Sequence, residues 1–426
     1  MKSLIAFLGT GPYEEICYRY PLPSGESKPI GPSKFGFLAI AEGWKADRID
    51  LFTTKEASER HRAEVETQAD RLTPKPEIRF LEVEEAGHPT KLWGVFEKIG
   101  EALGEGQEVA VDITHGFRSF PLVGLAALAY FKHLRGLHVA HIWYAAFIKP
   151  REEQDRQQEC PLIDLGIYLE VMELIWAVRQ WRERGELSPV ANLFRQAQKQ
   201  YYTESKKDPR LGTLGRALEQ LSGALRLVQP QLVTKYGRAV SDAFREAEAK
   251  DLYKELPSIK SLWDNLAKDI QELSRPAEAW EDALAQQLSL IEDYVEWKAY
   301  LPAVLLAREW LVTAWMGAGA KWQKKEARQE AEKQLGELLQ KKQQKKANLL
   351  SYLLFLLFLL PQRKRQKKAN LSKREELFSE AWGAIHAIRN RLAHCGMGEQ
   401  NQSIPVKEEQ MKEIVEKLRK VYQELI

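Results

Sequence analysis

Within the first 150 residues, short apolar runs alternate with stretches of helical spacing, and no other feature restricts the fold of this chain as tightly. The runs stand at Leu4–Leu8, Ile49–Thr53, Ile78–Val83, Val109–Ile113 and Val139–Phe147. Between several of them lie helix-like stretches at Phe35–Lys45, Lys55–Leu72, Lys91–Leu103 and Pro121–Leu134. Such alternation joins parallel strands through crossovers, and strands that are apolar without a break belong to a sheet covered on both faces. A doubly wound, Rossmann-like parallel sheet is the expected fold here. After about residue 165 the strand signals stop. Ile167–Arg184 is apolar at helical spacing, and Leu214–Leu227, Lys235–Leu252 and Ala277–Met316 continue the pattern. Pro189, Pro209, Pro230, Pro257, Pro276 and Pro302 punctuate these helices or sit in their first turns. The expectation is α/β plus all-α: a sheet domain over residues 1–160 and a helical domain over residues 161–426.

Composition supports a folded chain of more than one domain. Of 426 residues 44% are hydrophobic, too many for disorder, and one core is not expected at this length. The net charge of +3 gives no overall hint of a polyanion or membrane partner, yet it hides an asymmetry. From Lys321 to Arg374, sixteen basic residues stand against four glutamates, a block of +12 in a chain that is −9 elsewhere. A lysine run often marks a solvated helix face, but one this one-sided also suits a polyanion. Inside the block KKANL occurs twice, at Lys345–Leu349 and Lys367–Leu371, bracketing the apolar run Leu349–Leu360. That run is too short to span a bilayer as a helix. A buried helix or a dimer interface is expected, with a lysine-flanked membrane-surface segment as the alternative. Cys17, Cys160 and Cys395 are far apart and lack CxxC spacing, so neither a disulfide framework nor a Cys-rich zinc site is expected. The apolar run near the N-terminus is shorter than a signal sequence requires, and the expected location is the cytoplasm.

Two loops carry chemistry. Gly9-Thr10-Gly11 follows the first strand, where doubly wound sheets place ligand-binding turns, although it lacks full GxGxxG spacing. Asp112-Ile113-Thr114-His115-Gly116-Phe117-Arg118-Ser119 follows the strand Val109–Ile113 and leads into the helix from Pro121. A structural turn has no use for His and Arg together. A helix N-terminus and Arg118 both favour phosphate, while Thr114, His115 and Ser119 can donate hydrogen bonds to ribose or base. LGTG closing the first strand, with DITHGFRSFP after a later one, resembles the CARF (CRISPR-associated Rossmann fold) domain of type III CRISPR accessory proteins over roughly residues 1–150. The resemblance implies a pocket formed by a dimer that binds cyclic oligoadenylate. Its contacts would come from Gly9, Thr10, Gly11, Thr114, His115, Gly116, Arg118 and Ser119.

Near the other end, Arg389-Asn390-Arg391-Leu392-Ala393-His394 lies in a helix-like segment that begins near Glu375. Ile385, Ile388 and Leu392 form its apolar stripe; His386, Asn390 and His394, spaced by four, form a polar one flanked by Arg389. RNA cleavage without a metal needs a group that moves a proton near neutral pH, for which His is suited, and a guanidinium to meet charge developing on phosphorus. Arg389 and His394 lie about 140° apart around a helix, so two copies apposed by a two-fold would complete such a site. Metal ligation by His386 and His394 lacks carboxylate or cysteine company.

The extended pattern Arg-Asn-x3-His resembles the HEPN ribonuclease motif, and CARF–HEPN is a known pairing in the same accessory family. The resemblance implies catalytic Arg389 and His394, a supporting Asn390, no metal and no required cofactor. It also implies single-stranded RNA as substrate, 2′,3′-cyclic phosphate and 5′-hydroxyl products, activation by cyclic oligoadenylate, and a homodimer or higher oligomer serving antiviral defence. The stretch of about residues 321–374 falls outside the resemblance and reads as an insertion. Two alternatives stay open: a ligand-sensing regulator that binds nucleic acid or a partner without nuclease activity, and an enzyme that degrades the cyclic oligoadenylate itself, with His115 or Thr10 in its chemistry. No membrane partner is expected.

Overall fold

A computed structural model describes residues 1–22, 25–84, 88–116, 119–147, 159–205, 211–249, 266–275, 277, 279–319, 324–358, 371–393 and 405–426. The chain divides into two compact units, Met1–Glu173 and Leu174–Ile426.

In the first unit eight strands form one sheet: β1 (Lys2–Leu8), β2 (Ile16–Pro21), β3 (Ser27–Ser33), β4 (Arg48–Thr53), β5 (Glu77–Glu82), β6 (Glu108–Asp112), β7 (His138–Ala145) and β8 (Glu159–Asp164). Their order is β3-β2-β8-β7-β6-β1-β4-β5. Helices α1 (Gly36–Trp44), α2 (Lys55–Ala69), α3 (Pro89–Ala102) and α4 (Ser119–Arg135) connect the parallel strands. β1 pairs in parallel with β4 on one side and β6 on the other, and β4–β5 and β6–β7 are parallel too. These five are the five apolar runs. Leu4, Ala6 and Leu8 of β1 join a core with α1 and α2, whereas Ile5 and Phe7 join one with α3 and α4. β1 and β4 are buried on both faces almost throughout, whereas β5, at the edge of the sheet, is only half-buried.

The sheet is mixed rather than purely parallel. β8 runs antiparallel to β7, β2 lies beside β8, and β3 closes the edge antiparallel to β2. Hydrophobic spacing misses these strands because they are short and partly polar. β3 even carries Pro29 and Pro32, which an edge tolerates because a missing N–H breaks no ladder there.

A buried charge cluster ties three strands together. Asp50 of β4 is fully buried and accepts hydrogen bonds from Ser3 Oγ of β1 at 2.8 Å, Arg48 Nε at 3.1 Å and Arg79 Nε of β5 at 2.6 Å. Both arginines also donate to the Ala102 carbonyl that ends α3. The ions were taken out of water only because each meets several partners.

The second unit is helical: α5 (Ile167–Arg184), which carries the division between the units, then α6 (Ser188–Ser205), α7 (Leu211–Arg226), α8 (Pro230–Ala249), α9 (Trp280–Glu296), α10 (Tyr300–Met316), α11 (Lys325–Phe358), α12 (Lys373–Ala393) and α13 (Glu408–Leu425). The single stretch expected over Ala277–Met316 is two helices, broken where Lys298 adopts a φ of 56°. One core gathers Phe194, Leu218, Phe244, Trp310, Phe378 and Leu418. Ala331, Leu335 and Leu338 of α11 belong to it, so the front of the lysine-rich stretch builds the unit instead of being appended to it. Its charge is also partly answered from outside the block: Arg328 meets Glu309 at 2.6 Å, Lys342 meets Glu380 at 2.6 Å and Lys373 meets Glu424 at 2.6 Å. The helical part of the leucine run extends to Phe358; the rest of it and most of the second KKANL lie outside the described residues. Among the described residues no helix is long and apolar enough to cross a membrane.

Replacing Asp50 with Ala strands the buried Arg48 guanidinium and takes a partner from the half-buried Arg79, and should cost the first unit about 3 kcal/mol. Hydrogen exchange of the β1 and β4 amides should then accelerate by about a hundredfold or more. Exchange at the wild-type rate would show that the cluster does not hold these strands.

Candidate functional site

β1 and β6 are neighbours, but β1 leads on through the β2–β3 hairpin and α1 to β4 on one side, and β6 leads through α4 to β7 on the other. Their carboxyl ends therefore flank the point where strand order reverses, the place where open α/β sheets leave a crevice. Gly9-Thr10-Gly11 leaves β1 there and Ile113-Thr114-His115-Gly116 leaves β6. A Cβ on Gly9 would stand 3.4 Å from Gly116 Cα, so the two loops meet backbone to backbone. Gly116 has a φ of 91°, and a Cβ on it would stand 2.8 Å from Phe7 Cβ. No other residue type fits that position without displacement.

The first turn is held from beneath. Gly9 N–H donates to Tyr13 Oη at 2.9 Å, and the same hydroxyl donates to Gly9 O at 3.2 Å, so the amide of Gly9 is engaged within the protein. Arg60 Nη1 of α2 donates to Thr10 O at 2.6 Å. In a trans peptide C=O and N–H point in opposite directions, which turns the Gly11 N–H away from α2. A Cβ on Gly11 would meet open space. In the second loop Asp112 Oδ1 accepts from the Thr114 N–H at 2.9 Å and from the Thr114 hydroxyl, which itself accepts the Ala145 N–H at 2.8 Å. Thr114 thus builds the loop with both capacities of its hydroxyl in use. The His115 ring stands edge-on to Tyr13, 4.9 Å away, and its Nε2 accepts from Gly36 N–H at the start of α1 at 3.4 Å. That bond requires the neutral tautomer with its proton on Nδ1. Ser119 opens α4; Phe117 and Arg118 lie outside the described residues.

Burial sets the ionisation of the floor. It pushes the Asp112 carboxyl up, opposed by the charge of His115 and by the Thr114 hydrogen bonds, while Asp112 Oδ2 has no partner among the described residues. It holds His115 below the ordinary imidazole range against the pull of Asp112, raises Tyr18, and lifts the Cys160 thiol to about 11. His61 of α2 is buried and also stands edge-on to Tyr13, at 4.9 Å, and is lowered by burial and then by the charge of Arg60. Each group is driven toward its uncharged form, which spares an anion the repulsion of a bare carboxylate. Tyr13, Arg60 and His61 carry no signal by spacing; only Tyr13, two residues past Gly11, stands near the motif in sequence.

In the second unit, Ser372 and Glu375 start α12 as a reciprocal cap. Ser372 Oγ accepts the Glu375 N–H at 3.2 Å and Glu375 Oε2 accepts the Ser372 N–H at 2.7 Å, which holds that carboxyl below its usual range. Ile385 and Ile388 are buried and Leu392 packs on the same core. This orientation leaves Arg389 and Asn390 half-buried and His386 exposed. His386 Nδ1 lies 3.3 Å from Asn390 Nδ2, so the i, i+4 polar stripe is present in that pair. His394 lies outside the described residues. Among the described residues no cluster of His, Cys, Asp and Glu is placed to hold a metal ion.

A cleft of about 540 Å³ lies elsewhere in this unit, lined by Trp181, Asp269, Glu272, Asp293, Glu296 and Trp297, and it shares no residue with the Arg389 region. Burial, then Glu296, Glu292, Glu272 and Asp269, lift the Asp293 carboxyl to about 7.

No family model matches the chain, and no curated protein matches it. Among solved structures it is similar to Enterococcus italicus Csm6 bound to cyclic hexa-2'-fluoro-hexa-dAMP, at 11% identity and a TM-score of 0.44, over 100% of this chain and 94% of that one.

The geometry sets two expectations. Gly116→Ala forces both an unfavourable φ and a clash with Phe7, and should lower stability by about 1–3 kcal/mol, read as a lower melting temperature. Asp293 keeps its proton in the folded chain at pH values where the unfolded chain has lost it, so its contribution falls as pH rises from about 4 through about 7. Asp293→Asn should therefore melt at a higher temperature than wild type at pH 8 and at nearly the same temperature at pH 4. A variant no more stable at pH 8 would refute the assignment.

Proposed function

We propose that this chain is a homodimeric endoribonuclease, activated by cyclic oligoadenylate and independent of metal, which cuts single-stranded RNA in type III CRISPR antiviral defence. The observation that carries the reading is the backbone contact of Gly9 with Gly116, which brings Gly9-Thr10-Gly11 and Thr114-His115-Gly116 together at the switch point of the sheet. Nucleotides bind at such points in doubly wound sheets, and both loops are those of the CARF resemblance. In this reading Thr10, Gly11 and Gly116 line the ligand, and Arg118 and Ser119 hold phosphate at the start of α4. Gly9, Thr114 and His115 keep the loops in place through the bonds to Tyr13, Asp112 and Gly36. The engagement of His115 Nε2 favours holding the ligand over cleaving it.

The effector is the HEPN-like helix α12, paired across a two-fold with its copy. The 2′-oxygen attacks the adjacent phosphorus and the 5′-oxygen leaves, giving a 2′,3′-cyclic phosphate and a 5′-hydroxyl. His394 moves the proton, Arg389 stabilises the charge that builds on the phosphoryl oxygens, and Asn390, braced by His386, orients the phosphate. Exposed Lys333, Lys341 and Lys346 of α11 hold the RNA backbone with little sequence preference. A ligand-sensing regulator without nuclease activity is the reading that survives if only binding is found.

His394→Ala should lose RNA cleavage by a factor of about 10² or more while binding cyclic oligoadenylate as wild type does. Wild-type cleavage should rise with the ligand and resist EDTA. Cleavage by the His394→Ala dimer, or loss of wild-type activity in EDTA, would sink the nuclease assignment.

A further inference from the structure

Four basic residues lie on or against α2, and three of them meet carboxylates. Lys55 stands 4.0 Å from Glu59, Arg62 Nε 3.0 Å from Glu66, and Lys34 Nζ 2.5 Å from Glu64. Arg60 is the exception. Among the described residues it pairs with no carboxylate, although Glu56 and Glu64 lie one turn away on its own helix. Instead it reaches over the rim of the crevice to the Thr10 carbonyl, 2.6 Å away. A guanidinium has five N–H donors in a planar fork, and this contact uses one of them. The remainder sit on an exposed side chain beside the first turn.

An exposed arginine that forgoes nearby carboxylates for one carbonyl leaves its cation without a counter-ion at the mouth of the crevice. A cation at that edge suits an anion, and the planar fork suits the two unesterified oxygens of a phosphodiester. We propose that Arg60 is a phosphodiester-binding residue of this crevice, taking one phosphate of the nucleotide ligand. The assignment rests on the nucleotide-sensing reading above and adds to it a residue outside both motifs. Holding Thr10 O would be its resting contact, and a bound phosphate would share the same guanidinium.

The test measures binding of cyclic oligoadenylate by calorimetry across a salt series, with wild type, Arg60→Gln, Arg60→Lys and, as control, Arg62→Gln. Arg60→Gln should bind about tenfold more weakly, and the slope of log K against log salt should shrink by nearly one charge. Arg60→Lys should keep the slope while losing part of the affinity, because the charge stays and the fork is lost. Arg62→Gln should match wild type. Weaker binding by Arg60→Gln with an unchanged salt slope would make Arg60 only a clamp of the turn and overturn the proposal. Equal binding by wild type and Arg60→Gln would overturn it alone; a wild type that binds no cyclic oligoadenylate would overturn it together with the sensing reading.

Discussion

The parallel pairing of β1 with β6 on one side and β4 on the other is the constraint on which the first unit depends. It fixes where two loops leave the sheet, and the loops can touch only because Phe7, the last inward residue but one of β1, meets glycine on each side. Its Cβ leaves no room for a side chain at Gly116, and its ring leaves none at Gly124 of α4, where a Cβ would stand 2.7 Å from it. Phe52 and Phe120 pack on the same ring at 5.7 and 6.4 Å. A single aromatic residue thus sets the height of the second loop and the seating of the helix that follows it. Close packing transmits such a choice because the interior has no slack to absorb it.

Electrostatics are handled oppositely in two buried places of that unit. Around Asp50 two guanidiniums and a hydroxyl surround one carboxylate. Beneath the crevice no such company exists, and burial drives Asp112 and His115 toward neutrality instead. Coulombic attraction decides the first case and desolvation the second. At the rim the exposed Arg60 reaches the Thr10 carbonyl. In the helical unit the lysine-rich stretch is a third case, since Glu309, Glu380 and Glu424 from outside the block neutralise part of it.

Much of this was legible in the residues. The five parallel strands follow from short, mainly apolar runs, and the face of α12 follows from Ile385, Ile388 and Leu392 at helical spacing. The crowding of Thr114, His115 and Gly116 after a strand marks the loop as more than a turn. What was not legible depends on partners distant in sequence. β2, β3 and β8 exist because an edge was available to pair with, not because their own pattern demands a strand. Thr114 reads as a ligand donor until Asp112 and Ala145 engage its hydroxyl. Arg60 is an ordinary helix-surface arginine until the register of β4 on β1 brings α2 against the first turn.

The sequence by itself determined the five central strands, the helices that alternate with them, and the residue types gathered at Gly9–Gly11, Asp112–Ser119 and Arg389–His394. These are local properties, set by periodicity and by which side chains are adjacent along the chain. Only the tertiary structure decided which groups burial pushes toward neutrality, which hydroxyls are engaged, that the front of α11 belongs to the core, and that an arginine from α2 stands at the first turn. Those outcomes turn on burial and on contacts between residues tens of positions apart, and neither exists until the strands have paired.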